Sequence, residues 1–361
     1  MIFRSLILFT LGCLLTTAAM GQARKYSNEF LAIGVSARAL GMGNATVASV
    51  ADVTAGYWNP AGLTQVNSDF QVGLMHSEYF AGIAKYDYGS IALPSKKKDR
   101  TIGLSMIRFA VDDIPNTLFL IEPDGTINYD NVTSFSVADY AFMFSYAQPI
   151  EWNNLQIGGN VKVIHRTAGG FANAWGFGID LGAQMEKGDW RFGLMARDIT
   201  TTFNAWSFNF TEEEEAIFAV TNNVIPENSY ELTLPRVIGG AAYHKQFNEQ
   251  FGLMAELNLE FTTDGRRNVL ISANPFSIDP RLGLEFDYNQ FIFLRTGIGN
   301  FQRALSETGT EEITTFQPNL GVGLKIKNIM IDYAYTDIGN QSQALYSHVF
   351  SLRLDFNRST Q

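Results

Sequence analysis

The residues of this chain that could do chemistry are few, and their spacing argues against a reaction centre. The four histidines, His76, His165, His244 and His348, show no metal-ligand spacing. Each sits in or at the end of an alternating run, where a polar interfacial residue is expected. A catalytic role for His165 or His348 requires a partnered serine, and no local motif supplies one. Gly41-Met42-Gly43-Asn44-Ala45-Thr46 looks superficially like a phosphate loop. It lacks the third glycine, and no strand-like run leads into it; close packing explains the glycines better. Glu212 to Glu215 are four consecutive carboxylates. Consecutive helical residues do not face one site, so they do not close on a divalent cation. Glutamate favours a helix N-terminus, which makes a solvated loop helix the expected element there. The sharper alternative is a partner-binding loop of Glu212, Glu213, Ile217 and Phe218, with Val220 extending its apolar face. No catalytic residue, metal site or cofactor is assigned.

The elements around these residues alternate. Phe251, Leu253, Ala255, Leu257, Leu259 and Phe261 are interleaved with Gly252, Met254, Glu256, Asn258 and Glu260. Trp175 to Met185 and Phe350 to Phe356 repeat the pattern. Side chains on a strand point alternately to opposite faces, so each run has one greasy and one polar face. Charges fall consistently on the polar face: Asp180, Lys162, Arg191, Arg197, Glu256, Glu260, Glu285, Asp332, Arg353 and Asp355. A cation on a lipid-facing position at mid-membrane costs about 2–4 kcal/mol, which gives that placement a physical cause. Many runs exceed the five or six residues usual for soluble strands. Met75, Met143, Met195 and Met254 also read as inward, together with Asp180 and Glu256. They would line a lumen or a ligand pocket, or pack against a plug.

Composition agrees. Charged residues make up 17% of the chain, below the quarter usual in soluble domains, and no later segment approaches the roughly twenty apolar residues of a membrane helix. Arg4, an apolar core from Leu6 to Leu15 and Ala19-Met20-Gly21 form a secretory signal, so residues 1–21 are expected to be removed. The lone cysteine, Cys13, lies within it. The net charge of −10 argues against nucleic acid. Short turns at 95–99, 151–154, 186–189, 247–249, 287–290 and 327–328 alternate with longer connections at 112–134, 200–229, 262–279, 302–313 and 337–345. The expectation is an all-β fold: a transmembrane antiparallel β-barrel of roughly fourteen strands over residues 67–357. Its surroundings are outer-membrane lipid.

Residues 22–66 do not alternate. The stretch from Ala32 to Ala45 is rich in small residues, and Trp58-Asn59-Pro60-Ala61-Gly62-Leu63 ends in turn chemistry. A residue before proline is extended and proline can open a helical turn, so Asn59 and Pro60 suit a compact segment inside a barrel. Ser36-Ala37-Arg38-Ala39-Leu40-Gly41-Met42-Gly43 followed by Trp58 to Leu63 resembles the opening of the PorV/PorQ family of outer-membrane proteins. The resemblance extends to Leu234-Pro235-Arg236 and to the segment from Asp332 to His348. That family is similar to the FadL-type channels for hydrophobic substrates, which share the Asn-Pro-Ala element. The resemblance implies a fourteen-stranded barrel with an N-terminal hatch carrying Arg38, Gly41, Gly43, Trp58, Asn59, Pro60, Ala61 and Gly62. It implies a component of type IX protein secretion in a Bacteroidetes-like outer membrane, binding translocon or cargo proteins and aiding their surface attachment. The alternative it leaves open is a FadL-like channel for hydrophobic small molecules, with a hydrophobic ligand or lipid as partner.

Overall fold

A computed structural model describes residues 27–79, 82–95, 97, 99–122, 124–305, 311–338 and 346–357. The expected signal at 1–21, with Cys13, lies outside the described residues. Among the described residues, sixteen strand segments run antiparallel around one closed sheet. They are β1 (Phe70–Tyr79), β2 (Ala84–Pro94), β3 (Thr101–Asn116), β4 (Thr133–Ile150), β5 (Leu155–Ala168), β6 (Ala172–Lys187), β7 (Trp190–Arg197) and β8 (Thr202–Phe208). There follow β9 (Ser229–Thr233), β10 (Arg236–Gln246), β11 (Phe251–Thr262), β12 (Ser277–Tyr288), β13 (Ile292–Leu305), β14 (Glu312–Ile326), β15 (Ile329–Thr336) and β16 (Ser347–Phe356). The sheet closes where β1 pairs with β16, from Phe70 against Phe356 to Glu78 against His348.

Sixteen segments make fourteen staves. β7 pairs with the lower half of β6 and β8 with its upper half. β9 and β10 continue one another opposite them. Each of these two staves is interrupted, at 198–201 and at Leu234-Pro235. Proline cannot donate a ladder hydrogen bond, and Asp198 and Thr201 both take positive φ, 55° and 59°. The wall stays closed across the break, because the Ile199 N–H donates to the Ile179 carbonyl at 3.0 Å.

The alternation expected from the sequence sets the faces. Leu104, Phe144, Val161, Phe177, Leu194, Leu257, Leu294, Leu320, Ile331 and Phe350 are each about half exposed on the outside, while their neighbours Ser105, Ser145, Asn160, Lys162, Glu256, Asn258, Arg295 and Asp332 are buried. That outer apolar belt is what hydrocarbon requires of a membrane barrel. All six short turns join strands at one end. At the other end the connections are long over 117–132, 209–228 and 263–276, but 80–83 and 169–171 are brief. Outward connections are therefore less uniformly long than the sequence suggests. The 209–228 connection also holds regular structure, a helix α3 (Glu212–Val220) with a complete capping box between Thr211 and Glu214.

Residues 27–66 supply most of the buried apolar cluster. Helix α1 (Ala37–Gly41), helix α2 (Ala55–Trp58) and a 3-10 turn (Pro60–Gln65) carry it. Such short helices are unstable alone; the wall around them holds them.

Candidate functional site

The inner segment is fixed to the wall by hydrogen bonds on many strands. Asn59 is fully buried and extended, with φ −162° and ψ 102°. Its amide donates to the carbonyls of Val47 and Ala183, each at 3.0 Å, and its Oδ1 accepts from the Ala61 N–H. Pro60 opens the 3-10 turn. Trp58 donates its indole N–H to the Val35 carbonyl at 2.9 Å. The Arg197 guanidinium lies 4.5 Å over the Tyr57 ring and donates to the Tyr57 carbonyl. Cation–π contact of this kind gains when desolvated.

Glycines let backbone approach backbone. A Cβ on Gly158 of β5 would stand 2.5 Å from the Pro60 carbonyl carbon. One on Gly43 would stand 2.7 Å from the Ile298 nitrogen, and Gly43 also has φ +63°. Gly41 meets Gly321 of β14 in the same manner, while Ala61 and Gly62 are buried against β5 and β6, Ala61 beside Gly158 and Gly62 beside the Val50 carbonyl and Gln184.

The inward charges are spent on this docking. Arg38 donates to both Glu285 oxygens, at 2.9 and 3.2 Å. Glu285 also accepts from Arg295, which reaches Asp332 at 2.6 Å. Arg353 pairs with Asp52 at 2.8 Å. Glu256 accepts from the N–H groups of Ala48 and Ser49, at 2.7 and 3.1 Å. Asp180 pairs with Lys162 at 2.8 Å and accepts from the Asp198 N–H. Glu256 and Asp180 are thus inward-facing, and their oxygens are occupied by the protein itself.

All four methionines point inward as well. Met75 takes the Ser36 N–H on its sulfur at 2.9 Å, and Met143 joins the same apolar cluster. Met195 packs with Val47 and Ile238, and Met254 with Met42, Ala48 and Ala242. Their main contacts are with the inner segment and the wall; Met254 alone also lines the lower of the two cavities described next.

Two cavities flank α1 along one strip of wall. The outer cavity, about 280 Å³, is lined on one side by Ile33, Leu40, Tyr79 and Phe109, and on the other by Arg281, Gln317 and Asn319. The inner cavity, about 270 Å³, opens toward the short turns beside Arg38, Met254, Phe293, Arg295, Lys325 and Met330. Both use β13, β14 and β15. Between them stand α1, its glycine seats and the ion cluster of Arg38, Glu285, Arg295 and Asp332. Sequence reading missed Arg281, Arg295 and Tyr79 as site residues. The parity of β12 would have found Arg281, since it shares a face with Gly283 and Glu285.

The loop reading divides. Phe218 stacks edge-on against Phe210 at 5.1 Å, and Phe210 against Phe171 at 6.2 Å. Glu212 and Glu213 lie in the first turn of α3, which has no buried residue, and Ile217 is half-buried. His165 is outward, stacked between Tyr140 and Trp175; His348 meets the Tyr333 hydroxyl at 2.7 Å.

No family model and no curated protein matches this sequence. Solved structures do. A monoaromatic hydrocarbon channel, CymD, superposes with TM-score 0.56 at 13% identity, covering 90% of this chain and 98% of that one. The Pseudomonas putida toluene transporter TodX gives 0.56 at 14% identity, with 90% and 98% covered. The Ralstonia pickettii toluene transporter TbuX gives 0.54 at 13%, with 90% and 99% covered. The chain has the fold of these barrels along almost its whole length.

Proposed function

We propose that this barrel passes hydrophobic small molecules across the outer membrane, receiving them in the outer cavity. The observation that carries this reading is the stacking of two cavities along β13–β15 with a single turn of helix between them. The outer cavity sets an apolar surface of Ile33, Leu40, Tyr79 and Phe109 against polar groups that include Glu29, Asn44, Arg281 and Asn300, and small-molecule sites combine apolar lining with orienting polar groups. Barrels of the same fold are described as a hydrocarbon channel and toluene transporters, which supports this substrate class. The inner segment then acts as a hatch, and the expected leader at 1–21 delivers the chain to its membrane.

Filling the outer cavity tests it. Leu40→Trp places a large ring in that space without touching the ion cluster. Uptake of labelled toluene by cells dependent on this barrel falls about tenfold, equivalent to roughly 1.4 kcal/mol. Unchanged uptake in the folded variant removes the cavity from the route.

A second reading is association with type IX secretion, where the barrel binds translocon or cargo proteins. One observation favours it: Val220 and Val224 on the outer connection and Tyr230 at the start of β9 are 87%, 90% and 79% exposed. Under that reading, deleting 212–225 abolishes attachment of exported proteins and leaves hydrocarbon uptake intact.

A further inference from the structure

A third cavity lies on the lipid-facing side of the wall. Gly159 of β5 points outward, paired with Tyr146 of β4 and Leu181 of β6. Around it Phe144, Tyr146, Val161, Ile179 and Leu181 all project into the lipid belt, between 37% and 52% exposed. The missing side chain leaves an apolar groove of about 500 Å³. Its lower end meets the membrane boundary. There the Tyr146 hydroxyl donates to Gln148 at 3.1 Å, and Trp152 in the adjoining turn is 65% exposed; Tyr and Trp favour that level of the bilayer.

The groove is preformed. Directly behind it, the backbone of Pro60 and Ala61 presses on Gly158 from within, so the wall there is one backbone thick and backed by the buried hatch. Above the Tyr146–Gln148 pair, water in the groove would find no polar side chain on the rim of Phe144, Val161, Ile179 and Leu181. An empty groove would forfeit the dispersion contacts of the aromatic and aliphatic rim. We propose that this groove is a binding site for one acyl chain of a phospholipid from the leaflet at the short-turn end, its headgroup lying at Gln148 and Trp152. The occupant is lipid because the groove is continuous with the lipid belt and its rim is apolar up to the boundary.

The test uses the full-length barrel reconstituted in vesicles of phosphatidylethanolamine and phosphatidylglycerol, then released into mild detergent for native mass spectrometry. The wild type retains one phospholipid, and Gly159→Leu reduces that species about tenfold. A Cβ at Gly159 would come within 3.2 Å of Leu181 Cδ2, so Val161→Trp, which fills the groove from its rim, is the second variant. Ala255→Leu, on the lipid face of β11, is the control and leaves retention unchanged. Equal retention in all variants, or none in the wild type, overturns the proposal. So does a dimer lost in Gly159→Leu, which would assign the groove to a second copy of this chain.

Discussion

Replacing Lys162 by methionine will destabilise the barrel by about 3–5 kcal/mol, the usual cost of leaving a buried charge without its partner. The Lys162 ammonium lies between Asp180, at 2.8 Å, and Asp198, at 2.5 Å, and all three side chains are 4% exposed. Without it two carboxylates face each other in a dry site. Their remaining donors are the Asp198 N–H and the Asn160 amide on Asp180, and the Thr202 hydroxyl on Asp198. These do not neutralise two charges. The effect falls on the stave break at 198–201, because Asp198 anchors the turn that carries β7 into β8. The measurement is the urea midpoint for unfolding from vesicles, read by the mobility shift of folded barrel on unheated gels. A triple variant, Lys162→Met with Asp180→Asn and Asp198→Asn, regains most of the loss, since it removes the charges as well as their partner. If the single variant unfolds at the wild-type midpoint, the triad is not what holds the break.

Much of the barrel was legible because lipid enforces a simple rule. A strand with one face in hydrocarbon must alternate, and a lysine at position 162 or a glutamate at 256 is tolerable only on the inner face. The same rule located all six short turns. It could not show that two staves are broken. Residues 200–229 read as one long connection, because in β8 the bulky Trp206 and Phe208 fall on the inner face and the small Ala205 and Ser207 on the outer. Only the pairings reveal that β8 and β9 continue β7 and β10. Leu234-Pro235 was the one local signal of a break. The site was legible in part. Gly41, Gly43 and the Asn59-Pro60-Ala61 run marked close backbone approach, yet their contacts are with Gly321, Ile298 and Gly158, more than ninety residues away. The pairing of Arg38 with Glu285 spans 247 positions. Face can be read from a period of two; a partner across the barrel cannot.

The second large effect concerns that partner. Arg38→Ala will connect the two cavities and raise the conductance of the barrel in planar bilayers. The guanidinium makes two charge-assisted hydrogen bonds to Glu285 from the helix that separates the cavities. Their loss costs the docked inner segment about 2 kcal/mol, a factor of roughly thirty in the docked-to-undocked ratio. The wall survives, because Glu285 keeps Arg295 as its partner at 2.6 Å, so the cost is borne by the inner segment alone. Acid should act differently, through the second clasp. Burial would push the Asp52 carboxyl up, but the Arg353 guanidinium beside it holds it below the usual carboxylate range. A carboxylate depressed on folding contributes its stability fully above the unfolded pKa and loses it only as pH falls through the folded value. The wild-type barrel therefore stays closed through mildly acid pH and opens in stronger acid, whereas Asp52→Asn removes that dependence. Arg38→Ala conducts at neutral pH already. Wild-type conductance in Arg38→Ala would show that α1 is held by its glycine seats and needs no clasp.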